Sequence, residues 1–500
     1  MPLCDQEAGL RILAPFIWLG MSLWMACGGG SGGAQSQTAL PATAPILFTA
    51  GDSVHGVQLW TSDGTPQGTR LVKQINPAGW AFPNSLATTF TPFDGKVYFP
   101  AQDPDHGYEL WRSDGTAAGT QLVVDASPGP SSGALHDLRQ PCVAGTNLYF
   151  LAQTSSDSYG YLWRLGPRQD APVRLLDGYQ GEWSGDASSP VPWNSELIFH
   201  GGTATLGAAV LRTDGTPSGT QLAATGLLPM SALAAHEGRA LFLATGDTAG
   251  GQGFGLWSSD LATGTSQLLI PMTDWIGLHW DNQVGLRFND GYALVEVWEG
   301  AMPDRYGLWR TDGTPEGTFR LVDLAEPTGF IAQACGFQGR TWFAANDGLH
   351  GVDLWVTDGT PGGTQLFKEL TTGTDGSFPG MSAAFTLPTG GFFEFKGRLY
   401  FGGGGPNLEN HVLWVSDGTP DGTRRLIGLP DGDARAPKLP AAFCAVGDAL
   451  YFSAQTRGDA PFTRQLWRTD GTPEGTRQVT AFDFGEYWNP IWTLVPNPRP

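Results

Sequence analysis

The chain has 500 residues and a formal charge of −20, from 48 acidic and 28 basic side chains. A surface this acidic repels nucleic acid and anionic lipid headgroups, so neither is expected to bind through charge. Gly (71) and Pro (37) are plentiful while only 15% of residues are charged, which disfavours a helical protein and favours an all-β one.

The N-terminus has the pattern of an export signal. Arg11 precedes an apolar run from Ile12 to Ala26, too short for a stable transmembrane anchor, which takes about 20 residues. The run ends in Ala26-Cys27, and a Gly-rich stretch follows. This resembles the lipobox of bacterial lipoproteins, which implies lipidation of Cys27; secretion without an anchor and an uncleaved segment are the alternatives. The predicted order is a signal peptide (1–26), Cys27 with a flexible linker (27–45) and a repeat domain (46–500).

A Leu-Trp step recurs through the whole repeat domain, at intervals of about fifty residues. Its tryptophans are Trp60, Trp111, Trp163, Trp257, Trp309, Trp355, Trp414 and Trp467, with Leu211 in the one remaining place. An Asp-Gly-Thr turn follows in seven units, at Asp63, Asp114, Asp214, Asp312, Asp358, Asp417 and Asp470. Regular self-similarity at this period indicates a repeat architecture of nine units.

Each unit offers four short strand candidates. In the second unit these are residues 87–92, 96–101, 108–113 and 120–125, rich in β-branched and aromatic residues and bounded by turn formers. Four antiparallel strands every 40–50 residues are typical of β-propeller blades. We therefore predict an all-β propeller of about nine four-stranded blades, with eight blades or an extended β-solenoid as alternatives.

The two ends of the repeat domain complement each other. The first unit begins directly at Ile46 and lacks an innermost strand, whereas Ile491 to Val495 form a spare strand after the last unit. We expect this C-terminal strand to join the first blade and close the ring, which removes exposed sheet edges.

Three cysteines outside the N-terminal region stand at one equivalent place. Cys142, Cys335 and Cys444 each precede an aromatic strand by six residues, in three non-adjacent units. Separate blades hold Cα atoms too far apart for a disulfide. We expect buried structural thiols, with no metal or catalytic cluster.

Two turn motifs carry side chains that could do chemistry. Asp-Gly-Thr is interpreted as a structural hairpin turn, with a repeated cation site as the alternative. Asp-x-x-His-Gly occurs at Asp52/His55, Asp103/His106 and Asp347/His350. Copies on different blades cannot combine into one zinc site, so these too are interpreted as turn formers.

The sixth unit departs from the repeat by adding aromatic and acidic residues. Exposed tryptophan beside carboxylates suits sugar stacking, and a carboxylate pair could in principle act as a glycosidase. The candidate ligand-binding residues are Trp275, Trp280, Asp281, Trp298 and Glu299. Asp304 is a further carboxylate for such a pair. No spacing requires catalysis here, and we assign no catalytic residue, metal or cofactor.

The string at Glu109-Leu110-Trp111-Arg112-Ser113-Asp114-Gly115-Thr116 resembles the bacterial ELWxxDGT-repeat proteins, often labelled hyalin-like surface or secreted proteins. The resemblance covers residues 46 to 480 and implies an exported repeat protein with no defined activity. We expect a monomeric, membrane-anchored, non-enzymatic binding or scaffold protein for a glycan, peptide or surface protein. The alternative is an extracellular carbohydrate-active hydrolase or lyase on a propeller scaffold.

Overall fold

The computed structural model describes most of the chain from residue 45 onward. The described residues are 45–82, 90–130, 141–153, 160–175, 190–203, 207–224, 226–248, 251–272, 287–289, 291–298, 306–325, 334–371, 378, 391–404, 411–427, 437–455, 464–482, 491 and 493–498. Their regular structure is β-strand, and none of them forms a helix long and apolar enough to cross a membrane. The predicted signal peptide and Cys27 lie outside the described residues.

The strands follow one another in nine units, which correspond to the nine sequence repeats. Units 1 to 3 contain β1 (Ile46–Asp52), β2 (Gly56–Ser62) and β3 (Arg70–Lys73); β4 (Thr91–Phe93), β5 (Lys96–Asp103), β6 (Gly107–Ser113) and β7 (Gln121–Val124); and β8 (Cys142–Ala144), β9 (Asn147–Gln153), β10 (Gly160–Leu165) and β11 (Val173–Arg174). Units 4 to 6 contain β12 (Val191–Trp193), β13 (Glu196–Thr203), β14 (Gly207–Thr213) and β15 (Gln221–Ala224); β16 (Leu227–His236), β17 (Arg239–Thr248), β18 (Gly251–Asp260) and β19 (Ser266–Met272); and β20 (Arg287–Asn289), β21 (Tyr292–Trp298), β22 (Tyr306–Thr311) and β23 (Phe319–Leu324).

Units 7 to 9 contain β24 (Cys335–Phe337), β25 (Arg340–Asn346), β26 (Val352–Thr357) and β27 (Gln365–Lys368); β28 (Phe393–Phe395), β29 (Arg398–Gly403), β30 (Val412–Ser416) and β31 (Arg424–Arg425); and β32 (Lys438–Val446), β33 (Ala449–Gln455), β34 (Gln465–Thr469) and β35 (Arg477–Gln478). The last strand is β36 (Leu494–Pro496).

Every unit is an antiparallel meander in which sequential strands pair. Within the described residues, units 1 to 7 form separate four-stranded sheets, and one residue pair, Val412 with Lys438, joins units 8 and 9 into an eight-stranded sheet. A β-bulge recurs at the Leu-Trp step, as between Leu59 and Trp60 and between Leu110 and Trp111. Such bulges increase the twist between the last two strands of a unit.

The fourth strand of the first sheet comes from the far end of the chain. β36 pairs antiparallel with β1, placing Ile46 opposite Pro496 and Phe48 opposite Leu494. The sequence predicts this pairing, although the strand is shorter and lies later than Ile491 to Val495. β1 therefore lies between β2 and β36, with hydrogen bonds on both sides.

The hydrophobic core is divided into clusters that lie between consecutive units. Nine such clusters occur among the described residues, joining units 1–2, 2–3, 3–4, 4–5, 5–6, 6–7, 7–8, 8–9 and 9–1. Each repeat tryptophan, and Leu211 in unit 4, belongs to or packs against one of them. The Leu-Trp pattern therefore persists because its large side chain fills the space between neighbouring sheets.

Two local expectations are refined by the structure. In unit 2 the first strand spans Thr91–Phe93 and ends one residue beyond the predicted 87–92, because Asp94 and Gly95 take positive φ angles and turn the chain there. Residues 87–89 of that prediction lie outside the described residues. Cys142, Cys335 and Cys444 are free thiols, and burial raises the pKa of Cys142 and of Cys444 to about 12.

Candidate functional site

The meander places two kinds of turn at opposite ends of each unit. The turns between strands 1 and 2 and between strands 3 and 4 share one end, which carries Asp-Gly-Thr and which we call the Asp-Gly-Thr face. The turns between strands 2 and 3 share the other end with the segments that lead to the next unit. That end carries Asp-x-x-His-Gly, and we call it the Asp-His face.

The Asp-Gly-Thr turn satisfies its own polar groups. In unit 1, Oδ1 of Asp63 accepts hydrogen bonds from the backbone N–H of Thr65 (2.9 Å) and from its hydroxyl (2.7 Å). The Thr65 hydroxyl oxygen accepts from the N–H of Gly68 (3.0 Å). The same contacts recur in the six other units that carry the motif. Hydrogen bonds from Thr216 lower the pKa of the equivalent Asp214. This geometry is that of a structural hairpin turn.

The glycine of this turn contacts the preceding unit. Gly64 has a φ of +85°, and a Cβ built there would collide with the Tyr451 hydroxyl of unit 9. That hydroxyl lies 3.4 Å from the carbonyl oxygen of Asp63, to which it donates. Tyr149 and Tyr400 occupy the same place against Gly215 and Gly471. The motif is therefore part of the contact between units as well as a turn.

The Asp-His face presents three aspartate–histidine pairs of the same geometry. Oδ2 of the aspartate lies 2.8 Å from Nδ1 of the histidine in Asp52/His55, Asp103/His106 and Asp347/His350. Oδ1 accepts backbone N–H bonds from within the turn, which fixes the carboxylate. Each imidazole is partly exposed.

The aspartate changes the acid–base behaviour of its histidine. The hydrogen bond to Asp103 raises the pKa of His106, and that to Asp347 raises the pKa of His350, each against a smaller opposing effect of burial. The aspartate also fixes the tautomer, because a neutral imidazole that donates from Nδ1 keeps its lone pair on Nε2. The outer nitrogen can therefore accept a proton from a molecule on this face.

The residue directly before Leu-Trp holds the segment that leaves strand 4. In unit 1, Oε1 of buried Gln58 accepts from the N–H of Ile75 (2.9 Å), and its Nε2 donates to the carbonyl oxygens of His55, Asn76 and Gly79. In unit 9, Gln465 accepts from the N–H of Phe482 (3.0 Å) and donates back to its carbonyl oxygen (3.1 Å).

Units 2 and 7 carry a carboxylate at this position. Oε1 of Glu109 accepts from the N–H of Ser127 (3.1 Å), and Oδ1 of Asp353 accepts from that of Leu370 (3.3 Å). Burial, with a smaller contribution from the charge on Asp125, raises the pKa of Glu109 to about 7. In the sequence, Glu109 stands out only as part of the repeat string, and its difference from Gln58 and Gln465 is the one signal of a special role.

Buried basic side chains lie where units 8 and 9 meet. Arg464, fully buried, donates to the carbonyl oxygen of Leu439 (2.5 Å) and to the hydroxyl of Ser453 (3.3 Å). Burial lowers the pKa of Arg464 to about 9 and, helped by the charge on Arg464, lowers that of His411 to about 3. His411 is therefore neutral at physiological pH.

The structure describes no side chain of the five residues predicted to bind a ligand in unit 6. Trp275, Trp280, Asp281 and Glu299 lie outside the described residues, and of Trp298 the structure describes only the backbone, at the end of β21. In the described part of the chain, no group of three or more His, Cys, Asp or Glu side chains is placed to hold a metal ion.

Comparison with known proteins gives matches among solved structures alone. No protein-family model matches the sequence, and no curated protein matches it. A puromycin hydrolase is 17% identical with a TM-score of 0.37, over 72% of this chain and 56% of that one. A puromycin-hydrolyzing peptidase of Mycobacterium tuberculosis is 12% identical with a TM-score of 0.38, over 69% and 53%. The chain thus spans about half the length of these two enzymes. The β-propeller domain of the trilobed protease from Pyrococcus furiosus is 10% identical with a TM-score of 0.36, over 80% and 99%.

This comparison corrects the main functional prediction. A non-enzymatic binding or scaffold protein was expected, yet the similar structures are a hydrolase, a peptidase and a domain of a protease. The comparison contradicts that prediction and agrees better with its alternative, an extracellular carbohydrate-active hydrolase or lyase, in that the similar proteins are enzymes too. The likeness concerns the fold, and no residue role transfers with it.

Proposed function

We propose that the nine units are the blades of one closed β-propeller. Support comes from the cyclic order of the hydrophobic clusters, whose last member joins Phe48 and Trp60 of unit 1 to Tyr451 and Leu466 of unit 9. The pairing of β36 with β1 and the hydroxyl of Tyr451 at the Asp63 turn support the same arrangement.

We propose that the protein is an extracytoplasmic hydrolase that cleaves acyl substrates, such as peptides or esters, on its Asp-His face. The observation that carries this proposal is the repeated pairing of a fixed aspartate with a partly exposed histidine. An imidazole held in this way is a general base for water, and the aspartate stabilises the imidazolium that forms. A glycosidase would need two facing carboxyl groups instead.

In the proposed reaction, Nε2 of the histidine takes a proton from a water molecule while the oxygen attacks the substrate carbonyl. The new C–O bond forms as the carbonyl π electrons move to oxygen. The imidazolium then returns its proton to the leaving amine or alcohol as the bond to the acyl carbon breaks. The charged aspartate at Nδ1 stays ionised throughout, since its role is to orient the ring and stabilise its positive form.

Substitution of the histidines is expected to remove hydrolysis. Hydrolysis should be measured with panels of peptide and ester substrates for His55→Asn, His106→Asn, His350→Asn and the triple variant. The variant at the productive pair should lose about 100-fold or more in kcat, the range of general base catalysis. His236→Asn, at the end of strand 1 of unit 5 and thus on the opposite face, is the matched control and should retain full activity. A folded triple variant with wild-type kcat would falsify the assignment.

The pH dependence should follow the ionisation of the imidazole. Because the hydrogen bond to Asp347 raises the pKa of His350, the base form appears only above the ordinary histidine value, and kcat/KM should rise with pH through that raised pKa. In Asp347→Asn the pKa should fall, so that the rising limb moves to lower pH. If unit 7 is productive, an unmoved profile in this variant contradicts the role of the aspartate.

We also propose that the protein belongs with the ELWxxDGT-repeat proteins and is held at a membrane through lipidated Cys27. The apolar run ending at Ala26-Cys27 supports this proposal. Cys27→Ser should move the protein from the membrane fraction to the soluble fraction after cell lysis. The control Cys142→Ser changes another thiol and should leave the distribution unaltered. Equal membrane retention in both variants would contradict lipid anchoring at Cys27.

A further inference from the structure

Three oxygen atoms in unit 2 are buried and have no hydrogen-bond partner among the described residues. They are Oε2 of Glu109, Oδ1 of Asp125 and Oγ of Ser127. The side chains of Glu109 and Ser127 are 1% and 0% exposed. Glu109 adjoins Ser127, whose N–H donates to the other carboxyl oxygen of Glu109, and the charge on Asp125 acts on the Glu109 carboxyl. Buried polar atoms are almost always paired, so these three unpaired oxygens, of which only the Ser127 hydroxyl carries a hydrogen to donate, require an explanation.

Comparison with unit 1 shows what a partner of these oxygens must provide in place of a hydrogen-bond donor. Gln58 and Glu109 occupy the same place before Leu-Trp, and each accepts from the main chain eighteen residues later, at Asn76 and Ser127. The second atom of Gln58 is an amide nitrogen that donates to three carbonyl oxygens. In Glu109 that position is an oxygen. An ionised Glu109 therefore cannot donate as Gln58 does. Unit 2 also has a second carboxylate that unit 1 lacks, because Gln74 stands where unit 2 has Asp125.

From these contacts we infer that Glu109, Asp125 and Ser127 form a site for a hard divalent cation of the Ca²⁺ class. Calcium takes six to eight oxygen ligands, mostly from carboxylates, carbonyls and water, and a buried excess of acceptor oxygens over donors fits such an ion. The cation stands in for the amide nitrogen of Gln58 and Gln465. It joins strand β6 to the segment after β7, at the base of the Asp-His face. Two carboxylates and a hydroxyl form this set, so it lies outside the His, Cys, Asp and Glu groupings considered above.

The site is independent of the proposed hydrolysis, and its test needs no substrate. The metal-free protein should be titrated with CaCl₂ at pH 8, where Glu109 is largely ionised, while the melting temperature is recorded. Binding of Tb³⁺ should be followed by its luminescence, sensitised by the nearby Tyr108 and Trp111. We expect Ca²⁺ to raise the melting temperature by several degrees, as binding to the folded state alone requires. Ca²⁺ should also displace Tb³⁺.

Three variants distinguish this site from general attraction to an acidic surface. Glu109→Gln copies the residue found in units 1 and 9, so it should fold, and it should lose both the Ca²⁺ response and the Tb³⁺ signal. Asp105→Asn removes one exposed negative charge from the same unit and should retain both responses. Asp125→Asn should weaken Tb³⁺ affinity at least tenfold. A wild-type protein without a Ca²⁺ response at pH 8, or a Glu109→Gln protein with an unchanged one, overturns the inference and indicates that Glu109 is held protonated instead.

Discussion

Deletion of residues 491–500 is expected to lower the free energy of unfolding by about 5 kcal/mol or more. The deletion removes Ile491 and Val495, which are buried in the clusters of units 9–1 and 1–2, and the partly buried Leu494. Full burial of each such side chain contributes about 1.5–3 kcal/mol. Loss of β36 also exposes the hydrogen-bonding edge of β1, which favours association with other chains.

Chemical denaturation and size-exclusion chromatography measure both effects. Deletion of residues 499–500 alone is the control, since it leaves β36 intact. A synthetic peptide of residues 491–498 added to the truncated protein should restore part of its stability. A truncated protein that remains monomeric with an unchanged denaturation midpoint would show that β36 does not stabilise the first unit.

Gly64→Ala is expected to lower the free energy of unfolding by about 2 kcal/mol or more. A left-handed backbone costs a non-glycine residue about 1–2 kcal/mol, and at Gly64 the new Cβ also collides with the Tyr451 hydroxyl. The effect should therefore include a loosening of the contact between units 9 and 1. Thermal or urea denaturation of the purified variants measures it.

Two further variants separate the backbone effect from the collision. Gly362→Ala lies in the equivalent turn of unit 7 with open space around the new Cβ and an ordinary φ, so it should change stability by less than about 0.5 kcal/mol. Tyr451→Phe removes the hydroxyl, and combined with Gly64→Ala it should recover part of the loss. Strict additivity of the two substitutions would contradict contact between these residues.

Features that depend on residues close together in the chain could be predicted directly from the sequence. The Leu-Trp step marks strand 3 in eight of the nine units because the tryptophan fills the space between sheets. Asp-Gly-Thr marks the next turn in seven units because its hydrogen bonds are all local. The spare C-terminal strand was predictable since the first unit visibly lacks one. Each of these features depends on residues close to one another in the chain.

Contacts between distant residues were not predictable in this way. The Tyr451 hydroxyl meets the Asp63 turn across 388 positions of sequence, and no local pattern links the two. Strand β32 contains two bulges, and Leu439 and Ala442 within it have positive φ angles. Neither residue is a glycine, so no local pattern indicates these backbone conformations. The same contrast holds for the candidate sites. The Asp-His turns could be predicted from local motifs, whereas the significance of Glu109 depends on the atoms that surround it in the folded chain.

The central place of β1 in its sheet has a mechanical consequence. β1 is bonded to β2 along its whole length and to β36 at Ile46, Leu47 and Phe48. A force applied to the chain at residue 45 therefore acts along the axis of a strand that is hydrogen-bonded to a neighbouring strand on each side. It loads two ladders of hydrogen bonds in shear, instead of peeling one edge strand away bond by bond. The first unit can thus bear tension applied through the residues that precede it.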